Sequence, residues 1–86
     1  MDKALSERDY FQQAKALKER HQLQEAETLL KQALEVYPDD VKLLVESAIV
    51  HAELGNKNKA AQYMVSALQI QPANTAYHRF LSTYKI

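Results

Sequence analysis

Leu29-Leu30-Lys31-Gln32-Ala33-Leu34-Glu35-Val36-Tyr37-Pro38-Asp39-Asp40 is the stretch that decides how this chain is read. Its apolar and small residues fall at helical spacing, then a proline follows a tyrosine, then two aspartates follow the proline. Proline disfavours helical dihedrals at the residue before it, so a helix stops at Tyr37, and Asp39 or Asp40 caps the next one. Moving 34 residues along the chain, Pro38 lands on Pro72, Leu30 on Met64, Ala33 on Ala67, Leu34 on Leu68 and Val36 on Ile70. Earlier residues obey the same step, Tyr10 falling on Leu44, Ala14 on Ala48, Leu17 on His51 and Ala26 on Ala60. A fixed period of this size, in which small residues return as small and apolar ones as apolar, marks an array of helical repeats.

Working outward from that stretch, the pattern predicts five helices and no strand. Ser6 caps the first, with Asp9 adding a carboxylate near its positive end and Tyr10, Ala14 and Leu17 forming one stripe. The pattern breaks at His21-Gln22 and resumes through Ala26, Leu29, Leu30, Ala33, Leu34 and Val36. A third helix carries Leu43, Leu44, Ser47, Ala48, His51 and Leu54 and ends at Gly55, the only glycine, placed where a left-handed residue terminates a helix. Asn56 caps a fourth helix, running to Gln71, and Asn74 caps a fifth with Tyr77, Phe80, Leu81 and Tyr84 on one face and His78, Ser82 and Lys85 on the other. The recurring alanines at 14, 26, 33, 48, 60 and 67 sit where paired helices are expected to cross, because only small side chains permit close approach.

Eighty-six residues allow one domain with a modest core. The chain has no cysteine, hence no disulfide or thiolate metal site, and no apolar run of the length a membrane span needs. Its first residues carry none of the features of a leader, and a cytoplasmic setting is expected. Net charge is zero, which removes the electrostatic basis for a nucleic-acid partner. The charges are unevenly distributed: residues 1–53 hold seven bases against eleven acids, while residues 54–86 hold four bases and no acid. Such polarity either favours an acidic partner or stacking of copies, or reflects chance in a short chain.

The residues at the 34-residue period resemble the tetratricopeptide repeat, a helix-turn-helix of that length. Repeat one, residues 7–40, matches with Tyr10, Ala14, Leu17, Ala26, Leu30, Ala33 and Pro38; repeat two, residues 41–74, matches with Leu44, Ala48, His51, Gly55, Ala60, Met64, Ala67 and Pro72. Residues 75–86 form either a capping helix or the start of a third repeat. The resemblance implies an all-α fold of antiparallel helix pairs stacked as a short right-handed solenoid. The chain departs from the family pattern at Gln13 and Ser47, where leucine is usual, at His51, where an aromatic is usual, and at His21, which takes the turn position of Gly55. Two repeats are fewer than the three that usually make a stable array. A longer parent chain, self-association and unusually good packing each resolve that shortfall.

In this family the first helix of each pair lines a concave groove that holds peptides or partner helices. Carried onto this chain, the resemblance implies groove-facing positions at Arg8, Phe11, Gln12 and Lys15, at Lys42, Val45, Glu46 and Ile49, and at Arg79. Lys18, Ala52, Glu53 and Thr83 extend the same faces. All lie off the packing stripes by helical geometry. An apolar floor of Phe11, Val45 and Ile49 with a basic rim suits an acidic protein or peptide segment with apolar anchors, the alternative being a homo-oligomer. Some family members clamp a chaperone's terminal carboxylate with lysine, asparagine and arginine; the matching positions here are Phe11, Lys15, Glu46, Ala76 and Phe80, which would not make that clamp.

Nothing in the sequence calls for catalysis, a cofactor or a metal. His21, His51 and His78 lack the close spacing of a metal pair, the serines lack a nucleophile-elbow context, and one glycine cannot build a phosphate-cradling loop. The expected role is a protein-interaction module, with a self-assembly unit or a regulatory appendage of a larger enzyme as alternatives.

Overall fold

A computed structural model describes residues 5–83, and these form five helices: α1 (Glu7–Glu19), α2 (Leu23–Val36), α3 (Val41–Glu53), α4 (Lys57–Ile70) and α5 (Thr75–Thr83), with no strand among them. The residues before Leu5, and Tyr84 and Lys85 on the expected fifth helix, lie outside the described residues.

Side chains start four of the helices. Ser6 Oγ accepts the Asp9 amide at 3.1 Å, Asp40 Oδ1 that of Leu43 at 3.0 Å, Asn56 Oδ1 that of Lys59 at 3.3 Å and Asn74 Oδ1 that of Tyr77 at 3.3 Å. Each satisfies an amide that the first turn leaves unpaired. The two tight turns share one geometry. His21 adopts φ 61° and Gly55 φ 83°. Around His21 the Gln22 amide donates to Leu17 O at 2.8 Å and the His21 amide to Lys18 O at 2.9 Å; around Gly55 the Asn56 amide donates to His51 O at 2.8 Å and the Gly55 amide to Ala52 O at 3.0 Å. Both are Schellman closures, one of them made without glycine. The proline turns repeat as closely: Tyr37 has φ −126°, ψ 70° and Gln71 has φ −127°, ψ 73°.

The six alanines are wholly buried. They let each pair of helices approach closely, and the larger side chains fill the space alongside. One cluster gathers Tyr10, Ala14, Ala26, Leu30, Ala33, Leu43 and Val50; the other gathers Leu44, Ala48, Met64 and Ala67, with Tyr77, Phe80 and Leu81 of α5 packed against it. Leu34 touches both and joins the repeats.

Two expectations need correction. Val50, unnamed in the expected α3 stripe, is fully buried, and at seven residues after Leu43, three after Ser47 and four before Leu54 it belongs to that same face. α3 packs against repeat one on one side and α4 on the other, so its buried surface is wider than one stripe. Val36 and Ile70 do recur, but at the exposed ends of α2 and α4, with 44% and 43% of their surface open.

Candidate functional site

α1 places Arg8, Phe11, Gln12 and Lys15 on one face because their spacings of three, four and seven follow the helical turn. A groove of about 1000 Å³ opens over that face. Its other wall begins at the start of α3, with Asp40, Val41 and Lys42, and it is closed by Gln71 at the exit of α4 and by Tyr77 in α5. Five expected residues therefore meet in one concavity: Arg8, Phe11, Gln12, Lys15 and Lys42.

Val45, Ile49 and Arg79 lie outside the lining. Val45 and Ile49 are half-buried farther along α3, Val45 packing against the second cluster, and Arg79 is exposed on α5. Glu46 is a correction. Instead of facing a ligand it is buried, with its carboxylate 2.6 Å from Lys18 Nζ at the contact of α3 with α1. The side chain reaches inward because α1 crosses that part of α3, and Lys18, another residue assigned to the open face, is drawn into the same pair.

Tyr77 and Gln71 were not expected in the groove. Tyr77 was assigned to packing alone, and it does pack against the second cluster, but a tyrosine is long enough for its ring to serve the core while its rim reaches the groove. Its size relative to Leu43, one repeat earlier, was the available signal.

Electrostatically the groove is mixed. Arg8 and Lys15 stand along α1, whereas Glu7 and Asp40 meet at the start of the two helices. Hydrogen bonding to Asp40 raises the Glu7 pKa above its ordinary 4.5, with desolvation and the Asp40 charge acting in the same direction and Lys42 opposing them.

A second polar group is internal. His51 is buried, its ring stacked on Tyr63 with centroids 5.2 Å apart and planes 16° from parallel, and its Nε2 lies 3.6 Å from Glu27 Oε2. Burial lowers its pKa from the ordinary 6.5, the Glu27 charge opposing and the Lys59 charge assisting. Ser47, one turn earlier, is buried beside it. A serine and a histidine in sequence register do not make a nucleophile without a formed hydrogen bond, and neither Ser47 Oγ nor His51 Nδ1 has a protein partner. Among the described residues no group of three or more acidic or histidine side chains converges as a metal site, and no helix is long and apolar enough to cross a membrane.

None of the curated proteins compared with the chain matches it. The family model for the tetratricopeptide repeat matches residues 16–83, from the third turn of α1 to the end of α5. With that match spanning most of the chain, and with turns, caps and buried alanines returning at the same interval, the chain belongs to the tetratricopeptide repeat family.

Proposed function

We propose that this domain docks a segment of another protein in the groove between α1, α3 and α5, and that it does so without catalysis. Tetratricopeptide repeats are protein-interaction modules, and the observation that supports this use of the groove is the meeting of Arg8, Phe11, Gln12, Lys15 and Lys42 with Tyr77 around about 1000 Å³ of open space. Phe11 and Tyr77 offer aromatic surface for an apolar anchor, and Arg8 and Lys15 attract carboxylates beside it. The partner this chemistry suits is an acidic segment bearing one or two apolar side chains. Val45 and Ile49, half-buried beyond the lining, extend the surface available to a longer segment.

The ends of the stack favour docking over self-assembly. On α3, Leu43, Val50 and Leu54 meet the preceding repeat, and Leu44 and Ala48 meet α4. One repeat earlier the first three positions are Asp9, Ala16 and Arg20, and one repeat later the last two are His78 and Ser82, all exposed. Among the described residues, neither α1 nor α5 repeats at these positions the apolar side chains by which α3 meets its neighbours.

The test is binding of a fluorescent acidic peptide with a central leucine and phenylalanine to the wild-type domain and to Arg8→Glu/Lys15→Glu. Both residues are exposed, so the fold survives the change. A loss of at least tenfold in affinity supports the groove, and unchanged affinity sinks it.

A further inference from the structure

The two proline turns share their backbone but not the use of the residue before the proline. Tyr37, in the first turn, serves the fold: its ring meets Tyr10 edge-on with centroids 6.2 Å apart, and its hydroxyl donates to Leu5 O at 3.0 Å. Gln71, 34 residues later, is exposed and lines the groove.

Two hydrogen bonds fix which way the Gln71 amide points. The Tyr77 backbone amide can only donate, so the Asn74 atom that receives it at 3.3 Å is Oδ1. That leaves Asn74 Nδ2 to donate to Gln71 Oε1, also at 3.3 Å. The Gln71 oxygen is thus engaged, while the hydrogens on its Nε2 have no acceptor among the described residues. The cap that starts α5 therefore makes Gln71 a donor at the groove rather than an acceptor. In the first turn Asp40 stands where Asn74 does, and its carboxylate has no hydrogen to give, so the arrangement belongs to the second turn.

We infer that Gln71 recognises the backbone of the docked segment: Nε2 donates to a main-chain carbonyl of a segment lying extended beside Tyr77. The inference rests on the docking groove proposed above and adds the conformation of its occupant. An extended chain offers a free carbonyl at successive residues, whereas a helix engages all but those of its last turn in its own hydrogen bonds. Gln71 and Tyr77 are tied together through Asn74, so the carbonyl that Gln71 meets is close in sequence to the side chain that packs on the Tyr77 ring.

The experiment measures the affinity of the fluorescent acidic leucine-phenylalanine peptide for the wild-type domain and for Gln71→Leu. It uses the intact peptide, versions with each amide in turn replaced by an ester, which weakens the carbonyl as an acceptor, and the same sequence locked as a helix by a side-chain staple. Gln71→Leu should lower affinity about fivefold, as the loss of one neutral hydrogen bond would. One ester should weaken wild-type binding and cost nothing further in Gln71→Leu, and the stapled helix should bind the wild type more weakly than the flexible peptide does. Asn74→Asp keeps the cap but accepts from Gln71 Nε2, turning the Gln71 oxygen to the groove. It should weaken binding more in the wild type than in Gln71→Leu, where only its charge acts. Unchanged affinity in a folded Gln71→Leu, or a stapled helix that binds as well as the flexible peptide, would overturn the inference and leave the groove standing. A wild type that binds none of these peptides removes the groove and this inference with it. The stapled comparison needs the wild type alone, so it decides the conformation even where a variant loses its fold.

Discussion

Lys18 and Glu46 join α1 to α3 through an ion pair of 2.6 Å whose side chains are 17% and 6% exposed. The ammonium neutralises a carboxylate that α3 would otherwise bury alone, and removing one partner from such a pair destabilises far more than removing both. Lys18→Met is expected to lower stability by about 3 kcal/mol, and adding Glu46→Leu to recover most of that loss. Denaturant unfolding of the two single variants and the double variant measures the coupling. Additive losses would mean that the pair contributes nothing.

His21 and Gly55 hold the same left-handed turn, and only one is suited to it. A side chain in that region strains the backbone, whereas glycine does not. His21→Gly should therefore raise stability by up to about 1 kcal/mol, and Gly55→Ala should lower it by about 1 kcal/mol. A methyl group at Gly55 would meet nothing within 4 Å, so any loss there is a backbone effect. Chemical denaturation of both variants checks the pair.

His51 gives stability a pH dependence. Burial holds its folded pKa below the ordinary 6.5, so the unfolded chain takes up the proton first as pH falls. The stabilisation is complete above about pH 6.5 and is lost progressively below it, down through the folded pKa. The denaturation midpoint should fall between pH 7.5 and 5.5 in the wild type and fall less in His51→Phe. Parallel profiles would remove His51 as the cause.

With Asp9 and Arg20 exposed on one end face and His78 and Ser82 on the other, the domain should remain monomeric. Light scattering over a hundredfold concentration range is expected to give a constant mass near 9.9 kDa. A mass that climbs with concentration would restore the self-assembly reading.

The repeat was legible because its signals are local. A proline fixes the residue before it, an Asn or Asp caps the turn after it, and alanine at a crossing answers to geometry, so Pro38, Asp40 and Ala33 reported their roles from sequence. Whole faces were harder. Glu46 reads as open because a single helix shows one stripe, but α3 is covered on two sides, and its coverage depends on where α1 and α4 lie. The groove was half legible: Arg8, Phe11, Gln12 and Lys15 follow from spacing within one helix, while Gln71 and Tyr77 join them only through the stacking of distant segments.

The most direct test of docking is to map backbone amide shifts of the labelled domain while titrating the acidic leucine-phenylalanine peptide. The shifts should concentrate at Arg8 to Lys15, at Lys42 and at Tyr77, and should vanish in Arg8→Glu/Lys15→Glu. Shifts confined to the exposed faces of α2 and α4, or no shifts at all, would contradict a docking groove on this face.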